Sequence, residues 1–247
     1  MRTDKIQKIN LSKSGVYLRH YGVDAAFDAL AQQAAERGGR IREKLIPMIL
    51  CPGGGYFIIG TTEAWPVADV FLHAGFYPFI LSYTVSEKEI PFDPAAPQDY
   101  APFADFEEGV AAVRAFAARE GCFTDQLLAV GFSAGAHVAL GSLALRGGNF
   151  EPPTALILSY PLVRWRVFEH AGFDLLAHIP KGFPPTFLWH GLNDAMVNPA
   201  SSFQLADILR EKEIPSEFHC YEEICHADPF YEPAWIPAAL QWLARRF

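Results

Sequence analysis

The stretch AVGFSAGAHVALGSLALRGG, from Ala129 to Gly148, decides how this chain is read. An apolar run stops at one serine held between two glycines, and a run that is apolar on every side begins one residue later. Such a segment, residues 134–146, reads as a helix buried against a sheet, because a surface helix would keep a polar face. Leu127 to Gly131 reads as the strand that precedes it. Strand, sharp turn and helix in that order hold Ser133 above the end of a sheet, and the flanking glycines remove side chains that would strike the adjoining strand and helix. Gly-Phe-Ser-Ala-Gly also fills ordinary glycine-rich turns, so the serine gains chemical meaning only from partners elsewhere.

Outward from this turn, short apolar runs alternate with helical patterns. Leu45 to Cys51, Phe76 to Tyr83, Ala155 to Ser159, Thr186 to His190 and Ser216 to Tyr221 read as further strands, mostly apolar throughout as buried parallel strands are. Phe106, Val110, Val113 and Ala117 form one stripe at helical spacing, and Trp235, Ala239, Trp242 and Leu243 form another. The alternation predicts an α/β fold: a mostly parallel central sheet flanked by helices on both faces, in one globular domain. Residues 1–40 form an extension of unread role, in which Gly15 to His20 reads as a short edge strand and Asp24 to Arg37 as a helix stopped by GlyGly. Between Ser159 and Thr186, an aromatic-rich insertion near residues 160–185 is too long for an ordinary connection and reads as a lid-like segment.

Composition excludes several classes. The chain has 247 residues, 51% apolar and 19% charged, with a net charge of -8, so no excess of cations is available to neutralise phosphates and no nucleic-acid partner is expected. The most apolar window, Ala68 to Val85, is interrupted by Asp69, His73, Gly75 and Pro78, so no membrane span or membrane partner is expected. The opening MRTDKIQKIN lacks an export signal and reads as a cytoplasmic start. Cys51, Cys122, Cys220 and Cys225 have no CxxC spacing and read as reduced, mostly buried thiols rather than a disulfide frame or a metal site. A homo-oligomer is left open.

A serine hydroxyl is a poor nucleophile near neutral pH and needs a base, and that base needs an acid to orient it. After this kind of turn the chain order is serine, acid, histidine. Asp194 stands just past the strand Thr186 to His190, against the alternatives of an Asx turn or a helix cap. In SEFHCYEEICHADPFY, alternation keeps His219 inside a strand, whereas His226 follows the break of the pattern and can reach a neighbouring strand end. LCPGGGYF follows the strand Leu45 to Cys51, and its glycines let backbone N–H groups approach a substrate oxygen. Gly54, Gly55 and Ala134 are the expected oxyanion donors, and a phosphate cradle is the rival reading although the GxGxxG and GxxxxGK[ST] spacings are absent. Tyr56, Phe57 and Trp165, with Phe168 and Phe173, are expected to wall a compact substrate pocket, the alternative being ordinary core packing.

With PGGGY at 52–56, GFSAG at 131–135, HGLND at 190–194 and His226 in register, the chain resembles α/β-hydrolases, in particular small acetyl-xylan-esterase-like carboxylesterases related to hormone-sensitive lipase. The resemblance implies hydrolysis of a small-molecule ester with a short acyl group, such as acetyl on a sugar, through an acyl-serine and with no metal or cofactor. It departs from its relatives where Cys51-Pro52 replaces the usual His before the glycines, where Ala136 replaces a frequent third glycine, and where Ala227-Asp228-Pro229 follows His226. Two alternatives stay open: an amide-directed hydrolase, such as an arylformamidase or small serine peptidase, and a non-catalytic binding module on the same fold.

Overall fold

Six of the apolar runs form strands in the computed structural model, which describes residues 6–37, 44–145, 151–226 and 234–247. The strands are β1 (Ile6–Asn10), β2 (Tyr17–Tyr21), β3 (Ile46–Cys51), β4 (Phe76–Ser82), β5 (Leu128–Phe132), β6 (Ala155–Ser159), β7 (Thr186–Gly191) and β8 (Ser216–Tyr221). They make one eight-stranded sheet in the order β1-β2-β4-β3-β5-β6-β7-β8. β1, β2 and β4 pair antiparallel, and from β4 across to β8 every neighbour is parallel.

The edge reading of Gly15 to His20 is corrected. β2 lies between β1 and β4, and the edge is β1, whose IQKIN sequence exposes Gln7, Lys8 and Asn10. A short edge strand bearing a lysine discourages pairing with other chains. Its alternation is too short and too polar to be read as a strand from the sequence.

Helices α1 (Val23–Arg37), α2 (Trp65–His73), α3 (Ala101–Glu120), α4 (Ala134–Leu145), α5 (Arg166–His170), α6 (Ala200–Glu211) and α7 (Trp235–Leu243) complete the chain. α2 hides inside the apolar window Ala68 to Val85, where the second half of a helix runs through a turn at Ala74 and Gly75 directly into β4. α3 carries Pro102 in its first turn and stops at Gly121, whose φ of 73° gives the left-handed cap that glycine adopts without strain. The GlyGly stop after α1, Arg146 at the expected end of α4 and the Ala227-Asp228-Pro229 loop lie outside the described residues.

Alternate strand residues face two cores. Ile49, Ala129, Leu156 and Leu188 pack with α3, α4 and α6, while Met48, Val130, Ile157 and Phe187 pack with α2 and α7. α4 is buried from Ala134 to Leu143, as its all-round apolar sequence requires. Outside α4 lies the 160–185 segment, which contributes Phe168, Leu175, Leu176, Ile179 and Phe183 to the core. Phe168 stacks on Phe92 at 3.7 Å between ring centroids and meets the His137 ring edge-on at 4.9 Å. All four cysteines are free thiols; Cys51 and Cys122 are buried, but Cys220 and Cys225 are exposed, which corrects the expectation of mostly buried thiols. Among the described residues, no helix is long and apolar enough to cross a membrane.

α3 and α4 cross at a point that admits no side chain. A Cβ at Gly141 would lie 2.0 Å from the tip of the fully buried Phe103 ring. Gly141→Ala is expected to destabilise the fold by about 1–3 kcal/mol through overpacking. Urea denaturation checks this, and an unchanged midpoint would show that the crossing can spread.

Candidate active site

Because β3, β5, β6, β7 and β8 run parallel, the residues just beyond their C-terminal ends gather along one edge of the sheet. Ser133 follows β5 directly. Its φ is 51°, in the left-handed region, and the strain is held in place from both sides. The Ser133 amide donates to the Ser159 carbonyl at 3.0 Å, and the Ser133 carbonyl accepts from Leu162 at 3.1 Å and Ala136 at 3.1 Å. Glycine is obligatory on either flank: a Cβ at Gly131 would sit 2.6 Å from Ala136 Cα, and one at Gly135 would sit 2.1 Å from the Cys51 carbonyl oxygen.

The three expected polar side chains converge. Ser133 Oγ lies 3.0 Å from His226 Nε2, and His226 Nδ1 lies 2.6 Å from Asp194 Oδ2. Since a carboxylate can only accept, Nδ1 carries the proton that Asp194 receives, which leaves Nε2 free to accept the serine proton. His219, passed over for this role, bonds Glu217 and stacks on Phe187.

Asp194 is itself enclosed by donors. Its Oδ1 accepts from the Met196 and Val197 amides at 2.9 and 2.8 Å, and its Oδ2 accepts from His190 Nε2 at 3.1 Å besides His226. The His190 ring is fully buried and fixed on its other side by the Ser202 hydroxyl at 2.7 Å. In the sequence His190 reads only as the end of a strand, and its place four residues before Asp194 is the local signal of this contact. Burial pushes the Asp194 carboxyl upward, but hydrogen bonds from His190, His226 and Val197 and the charge of His226 outweigh it and hold the group well below the usual carboxylate range.

The glycine loop after β3 stands against the serine. A Cβ at Gly53 would come 2.9 Å from Ser133 Cβ, and one at Gly54, where φ is 129°, would strike the Ile58 carbonyl oxygen at 2.0 Å. Among the described residues, neither Gly54 nor Gly55 donates its amide to a backbone carbonyl, and Ala134 opens α4, where a helical N–H has no partner of its own. Gly53 differs from these, because its amide is taken by Glu63 Oε2 at 2.5 Å.

The three aromatic residues expected on the pocket wall part company. Tyr56 is 2% exposed, packs against Tyr83, Tyr100 and Trp165, and points its hydroxyl inward to His137 Nδ1 at 2.5 Å. Burial pushes the His137 imidazole down to about 3 and the Tyr56 phenol well above its ordinary value, so both stay neutral and Tyr56 supports the loop from beneath. Trp165 is half-buried beside it, and Phe57 is 48% exposed at the surface.

A carboxylate whose pKa falls on folding stabilises the native state above its unfolded value, near ~4, and loses that contribution as the pH drops towards the folded value. Asp194→Asn is therefore expected to lower Tm at pH 7, with the gap to the unmodified protein narrowing as the pH falls towards ~3. Calorimetry across this range checks it; a constant gap would remove the charge from the account.

No protein-family model matches the chain. Among curated proteins it is similar to endo-1,4-beta-xylanase B of Butyrivibrio fibrisolvens, with 28% identity over 207 residues. That match takes in 72% of this chain, which spans 32% of the length of the curated relative. Among solved structures it is similar to an alpha/beta hydrolase enzyme from a Medee basin deep-sea metagenome library, at 25% identity and a TM-score of 0.74 over 97% of this chain and 96% of that one. It is also similar to the acetyl ester-xyloside bifunctional hydrolase of Caldicellulosiruptor lactoaceticus, at 24% identity and a TM-score of 0.69 over 82% and 83% of the two chains. A carboxylesterase of Lactobacillus plantarum superposes with a TM-score of 0.76 at 18% identity, over 97% and 96%. A sheet ordered in this way, superposing along nearly its whole length on an α/β hydrolase, makes the protein an α/β-hydrolase in fold.

Proposed function

We propose that the protein is a serine esterase that hydrolyses short acyl esters, acetyl groups on xylose-type sugars foremost. The observation that carries this reading is the continuous hydrogen-bonded line from Ser133 Oγ through His226 to Asp194, at 3.0 and 2.6 Å. The ester and sugar chemistry named for the Caldicellulosiruptor and Butyrivibrio proteins supports the substrate class.

In this mechanism Ser133 Oγ attacks the ester carbonyl carbon while its proton passes to His226 Nε2. The carbonyl electrons move to oxygen, and the Gly54, Gly55 and Ala134 amides receive the oxyanion. When the carbonyl re-forms, the C–O bond to the alcohol breaks and His226 returns its proton to the departing oxygen. Water then enters, gives a proton to the same imidazole, attacks the acyl-serine, and the acid leaves as Ser133 regains its hydrogen. Asp194 accepts the Nδ1–H throughout and steadies the imidazolium that forms in each half. The depressed pKa of Asp194 suits that role, because an acid that stays ionised keeps the imidazole in the productive tautomer.

Ser133→Ala is expected to cut turnover of p-nitrophenyl acetate by about 10⁴-fold, since the residual amides and binding surface act without a nucleophile. A parental rate in the variant would sink the reading. An acyl series from acetate to octanoate, run beside acetylated xylo-oligosaccharides and formyl-anilides, then ranks the substrates; a preference for the anilides would move the assignment to amides.

A further inference from the structure

Glu63 lies just before α2 and is 3% exposed, a position in which a carboxyl is costly unless its oxygens are satisfied. Both oxygens are used. Oε2 accepts the Gly53 amide at 2.5 Å, and Oε1 accepts the Tyr160 hydroxyl at 2.7 Å. These partners come from the two strand ends that flank β5: Gly53 follows β3, and Tyr160 follows β6.

What each partner touches gives the carboxyl its significance. Gly53 is the residue whose Cα side faces Ser133 Cβ, and the next amide along the chain is that of Gly54. Tyr160 is fully buried with φ of 36°, a strained conformation for a non-glycine residue, and its ring meets the His226 ring edge-on at 5.0 Å between centroids. Trp189 walls Tyr160 on another side at 5.0 Å, and its indole is pinned to Ser159 at 2.7 Å. The Tyr160 ring is therefore a fixed surface for the base to lean on.

From this geometry we infer that Glu63 is a positioning residue, whose side chain ties the oxyanion loop to the tyrosine that backs His226, so that donor amides and base keep one spacing about Ser133. The inference rests on the esterase reading of the site. Glu63 touches neither the serine nor the imidazole by hydrogen bond, and it acts through Gly53 and Tyr160. Burial raises the Glu63 carboxyl, opposed by the hydrogen bonds from Tyr160 and Gly53 and by the charge of His226.

Glu63→Gln keeps the shape but replaces one accepting oxygen by an NH₂ group; with the remaining oxygen on the Gly53 amide, the Tyr160 hydroxyl must turn from donor to acceptor, and two bonds to a carboxyl become weaker bonds to a neutral amide. Tyr160→Phe cuts the same tie from the other end and leaves the carboxyl and ring in place. Each variant is expected to lower kcat for p-nitrophenyl acetate by about 10- to 100-fold, the scale of a lost hydrogen bond to a charged group, with KM within about twofold. The rate of Ser133 labelling by a fluorophosphonate should fall by the same factor, and the double variant should lose no more than the worse single one.

Four measurements decide it: kcat, KM, labelling rate and Tm, in the unmodified protein, both single variants and the double. Parental labelling in folded Tyr160→Phe overturns the inference, as do additive losses accompanied by a rising KM. If Glu63→Gln does not fold, Tyr160→Phe alone is decisive, because it removes a single oxygen atom. An unmodified protein that neither labels at Ser133 nor cleaves esters overturns the esterase reading first, and this inference falls with it.

Discussion

The left-handed turn at Ser133 is the constraint on which the rest of this sheet edge depends. A serine does not adopt φ of 51° unaided, and here the conformation is imposed by two backbones that close on it. Gly131 lets the turn fold back onto α4, and Gly135 lets α4 press against the end of β3. One glycine too few would push the helix off the strand. With both in place, the hydroxyl stands above the sheet and the first amide of α4 lies beside it.

Around this turn the protein spends its buried polar groups in a consistent way. Asp194 receives four donors, Glu63 two, and His190 is held from both ring nitrogens. Each would be unfavourable if left bare in an apolar interior. Together they convert flexible loop ends into rigid supports, because moving any one of these groups would leave a partner unsatisfied. The aromatic layer of Tyr56, Tyr100, Phe103 and Phe168 around His137 does for α4 what this network does for the loops, by packing rather than by polarity.

Much of this was legible in the sequence because parallel strands announce themselves. Buried runs such as Ala155 to Ser159 are apolar up to their last residue, so strand ends, and with them the position of Asp194, can be placed by counting along the chain, whereas His226 is marked by the break in the alternation of β8. The illegible parts share a cause, which is that they depend on partners distant in sequence or on backbone angles. Nothing local marks Glu63, whose partners lie 10 and 97 residues away. Tyr56 reads as a pocket-wall aromatic beside a glycine loop, but its ring is buried and its hydroxyl bonds His137, 81 residues away. β1 is polar and half-exposed, so its strand character comes from its pairing with β2 and not from its own pattern.

The spacing of the contributing strands has a kinetic corollary. Ser133 and His226 are 93 residues apart and Tyr160 and Glu63 are 97 apart, and every parallel pairing between them closes a long loop. Helices such as α3 and α4 form from local contacts, but this constellation exists only after the last strand has docked. During refolding, ellipticity should therefore recover ahead of the contacts that join Ser133, His226 and Asp194, whose arrival marks the completion of the whole sheet.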